Sequence, residues 1–129
     1  MDYEHINKIS YKIIGAAIEV HRRMGPGLCE NVYEECLMCE FAHRGIKAER
    51  QVDVELIYRG QSLKSPYIID ILVEGEVILE LKAVKELAPV HTAQILSYLR
   101  LADKEIGYLI NFHESILKNG IRRYVNTTT

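Results

Sequence analysis

YIIDILVEGEVILELKAV, residues 67–84, is the stretch on which the reading of the fold turns. Two runs rich in Ile, Leu and Val flank Glu74, Gly75 and Glu76, and such runs around a three-residue loop containing Gly predict a β-hairpin. With 74–76 as the loop, Val73 faces Val77 and Asp70 faces Glu80. Side chains alternate across a strand. One face then carries Ile69, Ile71, Val73, Val77, Leu79 and Leu81, and the other Ile68, Asp70, Leu72, Ile78, Glu80 and Lys82. Directly opposed residues have Cβ atoms about 4.5–5.5 Å apart. Two ionised carboxylates that close repel, and more so among branched aliphatics. A divalent cation is one remedy, because Mg²⁺ takes one or two carboxylates plus water and phosphate oxygens. Lys82 would then stand beside the metal and orient or activate a water. An ordinary salt bridge on a solvated sheet face is the other reading, and the hairpin alone leaves both open. A register slip of one residue would separate Asp70 from Glu80 but would leave Glu80 and Lys82 on one face.

Outward from the hairpin, residues 2–23 read as a helix through Ile6, Ile9, Ile13, Ala17 and Val20. Met24-Gly25-Pro26-Gly27 stops it. A second helix is predicted over 28–43, with Val32, Cys36, Cys39 and Ala42 on one face and Gly45 closing it. Val52, Val54, Leu56 and Tyr58 then alternate with Asp53, Glu55 and Ile57, a strand pattern that ends in a turn at residues 59–61. After the hairpin, Pro89 suits the first turn of a helix over 90–102 that buries Ile95, Leu99 and Ala102. Residues 107–111 and 120–125 read as short strands, and the last few residues should fray. The order ααβββαββ describes an α+β or mixed α/β domain with one central sheet, spanning residues 1–129.

At 129 residues the chain suits one domain and can bury a core without staples. With 48% hydrophobic and 26% charged residues and 3 Pro, it reads as globular. Sixteen Lys and Arg against 18 Asp and Glu give a net charge of -2, which excludes a histone-like nucleic-acid binder. Lys85, His91, Arg100, Arg122 and Arg123 are candidate phosphate contacts, yet they form no stripe. Affinity for bare DNA is therefore expected to be modest and salt-dependent. No run approaches the ~18 apolar residues of a membrane span, and no secretion signal is visible. Three Cys, an odd count, then point to a reducing, cytoplasmic setting. Cys36 and Cys39 are expected to be buried structural thiols.

Two further constellations carry chemistry. Glu30 and Tyr33 lie one turn apart at the start of the second helix. A Glu there also complements the helix dipole. His91, Gln94 and Tyr98 fall at i, i+3 and i+7, a polar stripe that is equally a wet helix face.

Together these residues resemble the GxxExxY family, a branch of the PD-(D/E)xK nuclease superfamily. Gly27, Glu30 and Tyr33 match the naming motif, and VHRRMGPG (20–27) and INFHESILKNGIRR (110–123) resemble the family's flanking segments. Asp70 with Glu80-Leu81-Lys82 resembles the superfamily's acid and E-x-K pair. Gln94 and Tyr98 resemble the Q-x-x-x-Y motif of RecB-like nucleases. The resemblance implies a restriction-endonuclease-like αβββαβ core with a mixed sheet and an extra N-terminal helix. It implies Mg²⁺ or Mn²⁺ held by Asp70, Glu80 and the Leu81 carbonyl, with Glu30 as a third acid. Lys82 would position the attacking water, and Gln94 and Tyr98 would line the site. The implied activity is phosphodiester hydrolysis in nucleic acid, DNA before RNA, with a homodimer or a targeting partner both open and no membrane partner.

The chain departs from the pattern at Ile69, where the superfamily's Pro would stand, and at Ile68, where a basic residue is expected. Two rivals remain. One is a catalytically silent nuclease-fold module that binds nucleic acid or a protein. The other is an enzyme acting on a smaller phosphoester, which would be expected to carry a Gly-rich phosphate loop. Gly25-Pro26-Gly27 is not one.

Overall fold

The structure, a computed structural model, describes residues 3–127. The expected helix start at Asp2 and the fraying expected of Thr128 and Thr129 lie outside the described residues. Helix α1 spans Tyr3–Met24 and helix α2 spans Glu30–His43. Strand β1 (Ala48–Asp53) follows, then a small hairpin of β2 (Leu56–Tyr58) and β3 (Gln61–Leu63). Strands β4 (Ile68–Val73) and β5 (Val77–Lys82) precede helix α3 (Pro89–Ala102). Strand β6 (Ile106–Asn111), a 3-10 turn (Leu117–Gly120) and β7 (Ile121–Val125) complete the chain.

Five strands form one sheet in the order β1-β4-β5-β6-β7. The β5–β6 pair is parallel and the other pairs are antiparallel, so the sheet is mixed. This architecture is consistent with a restriction-endonuclease-like fold. The expected register holds, with Ile71 opposite Leu79 and Val73 opposite Val77.

Each sheet face buries its own helices. Ile71, Val73, Val77, Leu79 and Leu81 pack with the isoleucine stripe of α1 and with Tyr33, Leu37 and Phe41 of α2. Leu72, Ile78 and Leu109 pack with Ile95, Tyr98 and Leu99 of α3 on the other face. Gly107 of β6 lets α3 come close, since a Cβ there would stand 3.0 Å from Ile95 Cδ1. Pro89 takes the first turn of α3 as expected.

Three expectations are corrected. The alternation over 52–58 is split between β1 and β2, which belong to different sheets, and the turn at Arg59 and Gly60 joins β2 to an unanticipated β3. Period-two alternation cannot report such a break, because both pieces keep it. Helix α2 is rotated from its expected face. It buries Tyr33, Glu34, Leu37 and Phe41, while Ala42 is exposed. The large side chains at i, i+4 and i+8 win the core over smaller Val, Cys and Ala. As a result Cys39 is exposed and Cys36 half-buried, and neither is a buried structural thiol.

Candidate active site

Asp70 sits at a break in the sheet. The β1–β4 pairing skips it, running from Arg50–Ile71 to Val52–Ile69, and the β4–β5 pairing ends at Ile71–Leu79. Gln51, the residue that would face Asp70, has a φ of 55, in the left-handed region that non-Gly residues rarely visit. The interruption moves Ile69 into the α3-side core, whereas strict alternation had grouped it with Ile71.

Side chains fill the gap in the ladder. The Leu81 N–H donates to Asp70 Oδ2 at 2.8 Å, and the Asp70 N–H donates to Glu80 Oε1 at 3.4 Å. The two acids expected to face each other are therefore in contact. Glu80 is only 3% exposed. Burial, and next the Asp70 charge, push its carboxyl up to about 9. Burial also raises Asp70, against the pull of the Leu81 amide and of a hydrogen bond from Glu80. In the metal-free protein both shifts favour protonation, and the two carboxyls titrate as one coupled pair.

Lys82 lowers both acids by its charge but makes no ion pair with either. Its Nζ donates to Gln94 Oε1 at 3.4 Å, and Gln94 Nε2 donates to the Tyr98 hydroxyl at 3.1 Å. Burial, followed by the Glu80 charge, raises the Tyr98 phenol. The two ends of the expected Q-x-x-x-Y stripe therefore join the lysine in one chain. His91 does not join it, because its Nδ1 accepts the Ala88 N–H and caps α3.

On the α2 side, Asp70 and Leu81 line a cavity of about 420 Å³ with Glu30, Asn31, Glu34, Arg50 and Gln51. Glu30 is exposed and shares this cavity. Among the described residues, no three His, Cys, Asp or Glu side chains stand close enough to hold a metal ion. Tyr33 lies outside it and is fully buried, stacked on Phe112 at 4.5 Å. Its hydroxyl donates to the Gly25 carbonyl and accepts the Leu28 N–H. It thus pins the loop in which Gly27, at a φ of 99, turns the chain toward Glu30.

Sequence reasoning missed Glu34, Arg50 and Gln51. Arg50 bridges Glu34 and Glu35, and Gln51 donates to Glu34 Oε1 at 2.7 Å. These partners lie on different elements, so no local spacing reveals them. Asn111 was also missed. Opposite Lys82 in the ladder, it grips Val84 through both its N–H and its carbonyl and fixes the chain just after the lysine. Of the candidate phosphate contacts, Arg122 binds the Asn119 carbonyl and Arg123 binds Asn7 and Tyr108.

A carboxylate pair in contact, Glu80 buried and Asp70 half-buried, makes an all-oxygen donor set. That suits a hard divalent cation, which keeps several waters and needs few protein ligands. No curated protein and no solved structure is matched by the chain. A family profile described as the PD-(D/E)XK nuclease superfamily matches residues 7–124, a span that contains both acids, Lys82, Gln94 and Tyr98. The chain belongs to the PD-(D/E)XK nuclease superfamily.

Proposed function

We propose that this chain is a metal-dependent nuclease that hydrolyses phosphodiester bonds in nucleic acid, DNA before RNA, and that it belongs to the GxxExxY branch. The observation that carries the reading is the Asp70–Glu80 pair. It is two acids, one buried and one half-buried, in contact where the sheet ladder is interrupted. Such a pair costs stability until a cation joins it.

Asp70, Glu80 and the Leu81 carbonyl are the groups to hold Mg²⁺ or Mn²⁺, with Glu30 as a further acid at the cavity edge. The cation supplies Lewis acidity at phosphate and a more acidic water. Lys82 places a fixed positive charge where negative charge develops on the phosphate, and it orients the attacking water. Gln94 holds the lysine ammonium, and Tyr98 holds Gln94. The near-neutral surface favours help with substrate capture from a second copy or a targeting partner, in the cytoplasm.

The test is cleavage of single- and double-stranded DNA and RNA in Mg²⁺, in Mn²⁺ and in EDTA. Wild type should cut only with metal. Lys82→Ala should lose at least about a hundredfold while staying folded. Cleavage by Lys82→Ala at the wild-type rate would remove that residue's role. The absence of cleavage on every substrate with either metal would favour the silent binding module.

A further inference from the structure

Beside the Lys82–Gln94–Tyr98 chain lies a second opening of about 380 Å³ that the proposed chemistry does not use. It is walled by Tyr67, Val90 and Leu101, with Gln94 and Tyr98 at its inner edge and Arg100 at its rim. Tyr67 is 45% exposed, and its ring stands 6.1 Å from that of Tyr98 at 53°. The Val54 N–H donates to the Tyr67 carbonyl, so Tyr67 is fixed at the root of the β2–β3 hairpin. It is three residues before Asp70, about 10 Å along the strand.

An anchored, half-exposed aromatic ring with apolar neighbours and one arginine is a surface for a flat apolar face next to a phosphate. An unstacked nucleobase has that chemistry, and stacking of this kind accepts any base. A base paired inside a duplex hides its faces and cannot enter such a slot. Charge points the same way. Among the described residues, Arg100 is the only charged one lining the opening, and the whole chain carries -2. Affinity must therefore come from stacking more than from phosphate neutralisation. The slot adjoins the candidate active site, because Gln94, which lines it with Tyr98, also accepts the Lys82 ammonium.

We infer that the Tyr67 slot seats an unpaired nucleobase and directs the neighbouring phosphate of a single strand to the Asp70–Glu80 acids. This rests on the nuclease reading of those acids. Fluorescence anisotropy in EDTA with the full chain would test it, using a labelled dT oligonucleotide, an abasic oligonucleotide of equal length, the dT·dA duplex and an rU oligonucleotide. The single strand should bind at least roughly tenfold tighter than either the abasic strand or the duplex. Tyr67→Ala should weaken dT binding about 5- to 100-fold, leave abasic binding unchanged, and be rescued by Tyr67→Phe. Preference for either sugar is support, since the slot reads base faces.

Equal binding of the abasic and dT strands by wild type overturns the inference, and needs no variant. So does wild-type affinity for dT in a folded Tyr67→Ala protein. Cleavage in Mg²⁺ separates the two readings. Cutting without any strand preference removes this inference and keeps the nuclease. Base-dependent binding without cutting keeps the slot and removes the nuclease.

Discussion

Glu80→Gln removes a titration that should make the stability of the metal-free protein depend on pH. Folding raises the Glu80 carboxyl from its ordinary 4.5 to about 9, chiefly through burial and then through the Asp70 charge. Between those values the folded protein holds a proton that the unfolded chain has released. The stabilisation is therefore fully present below pH 4.5 and is lost as pH rises toward 9. The slope is at most about 1.4 kcal/mol per pH unit, so moving from pH 6 to pH 8 in EDTA removes at most about 2.7 kcal/mol. At about 4 °C per kcal/mol for a domain of this size, the melting midpoint should fall by up to about 10 °C. Glu80→Gln keeps a donor toward Asp70 and does not titrate. Its midpoint should be flatter over the same range and should exceed that of wild type at pH 8. Mg²⁺ at about ten times its dissociation constant should return about 1.4 kcal/mol to wild type and little to Glu80→Gln. Differential scanning fluorimetry across pH, with EDTA or Mg²⁺, reads all of this. A wild-type midpoint that stays flat from pH 6 to pH 8, or a Glu80→Gln protein that melts below wild type at pH 8, would refute the reasoning.

Asp70→Asn should melt at or above wild type in EDTA and below it in Mg²⁺, by the same fluorimetry. Glu30→Gln should shift stability by no more than about 0.3–1 kcal/mol if it only complements the helix dipole, so a marked loss of cleavage at an unchanged midpoint assigns it to the site. Tyr33→Phe removes the hydroxyl that holds the Gly25 carbonyl and the Leu28 amide, and should cost about 1–3 kcal/mol by thermal or urea unfolding. Gly107→Ala presses a methyl group onto Ile95 and should cost about 1–3 kcal/mol in urea unfolding.

The hairpin was legible because it is local. Its loop, its register and the contact of Asp70 with Glu80 all follow from period-two alternation around Gly75, and the stripe of α1 follows from period 3.6. What escaped was non-local. The left-handed Gln51 that frees Asp70 from β1 and carries Ile69 to the other core looks ordinary in sequence. The Arg50–Glu34 bridge joins a strand to a helix that was expected to present a different face. In α2, Tyr33, Leu37 and Phe41 at fourfold spacing were available as a signal, but the smaller apolar residues masked it. Gln94 and Tyr98 could be set apart from their helix, while the occupation of His91 as a cap depended on the backbone at Ala88.

The gap in the ladder at Asp70 also bears on how such a chain would change over generations. The strands are held together by Ile71, Leu72 and Val73 on one side of the gap and by Val52 and Ile69 on the other. The backbone rungs on either side do not involve the carboxylates, which instead accept the Leu81 and Asp70 amides inside the gap. A descendant that replaced one acid by its amide would keep an acceptor for those N–H groups and, without metal, would shed the cost of burying a charge. Folding therefore asks for an acceptor at each of the two positions, and not for a charge.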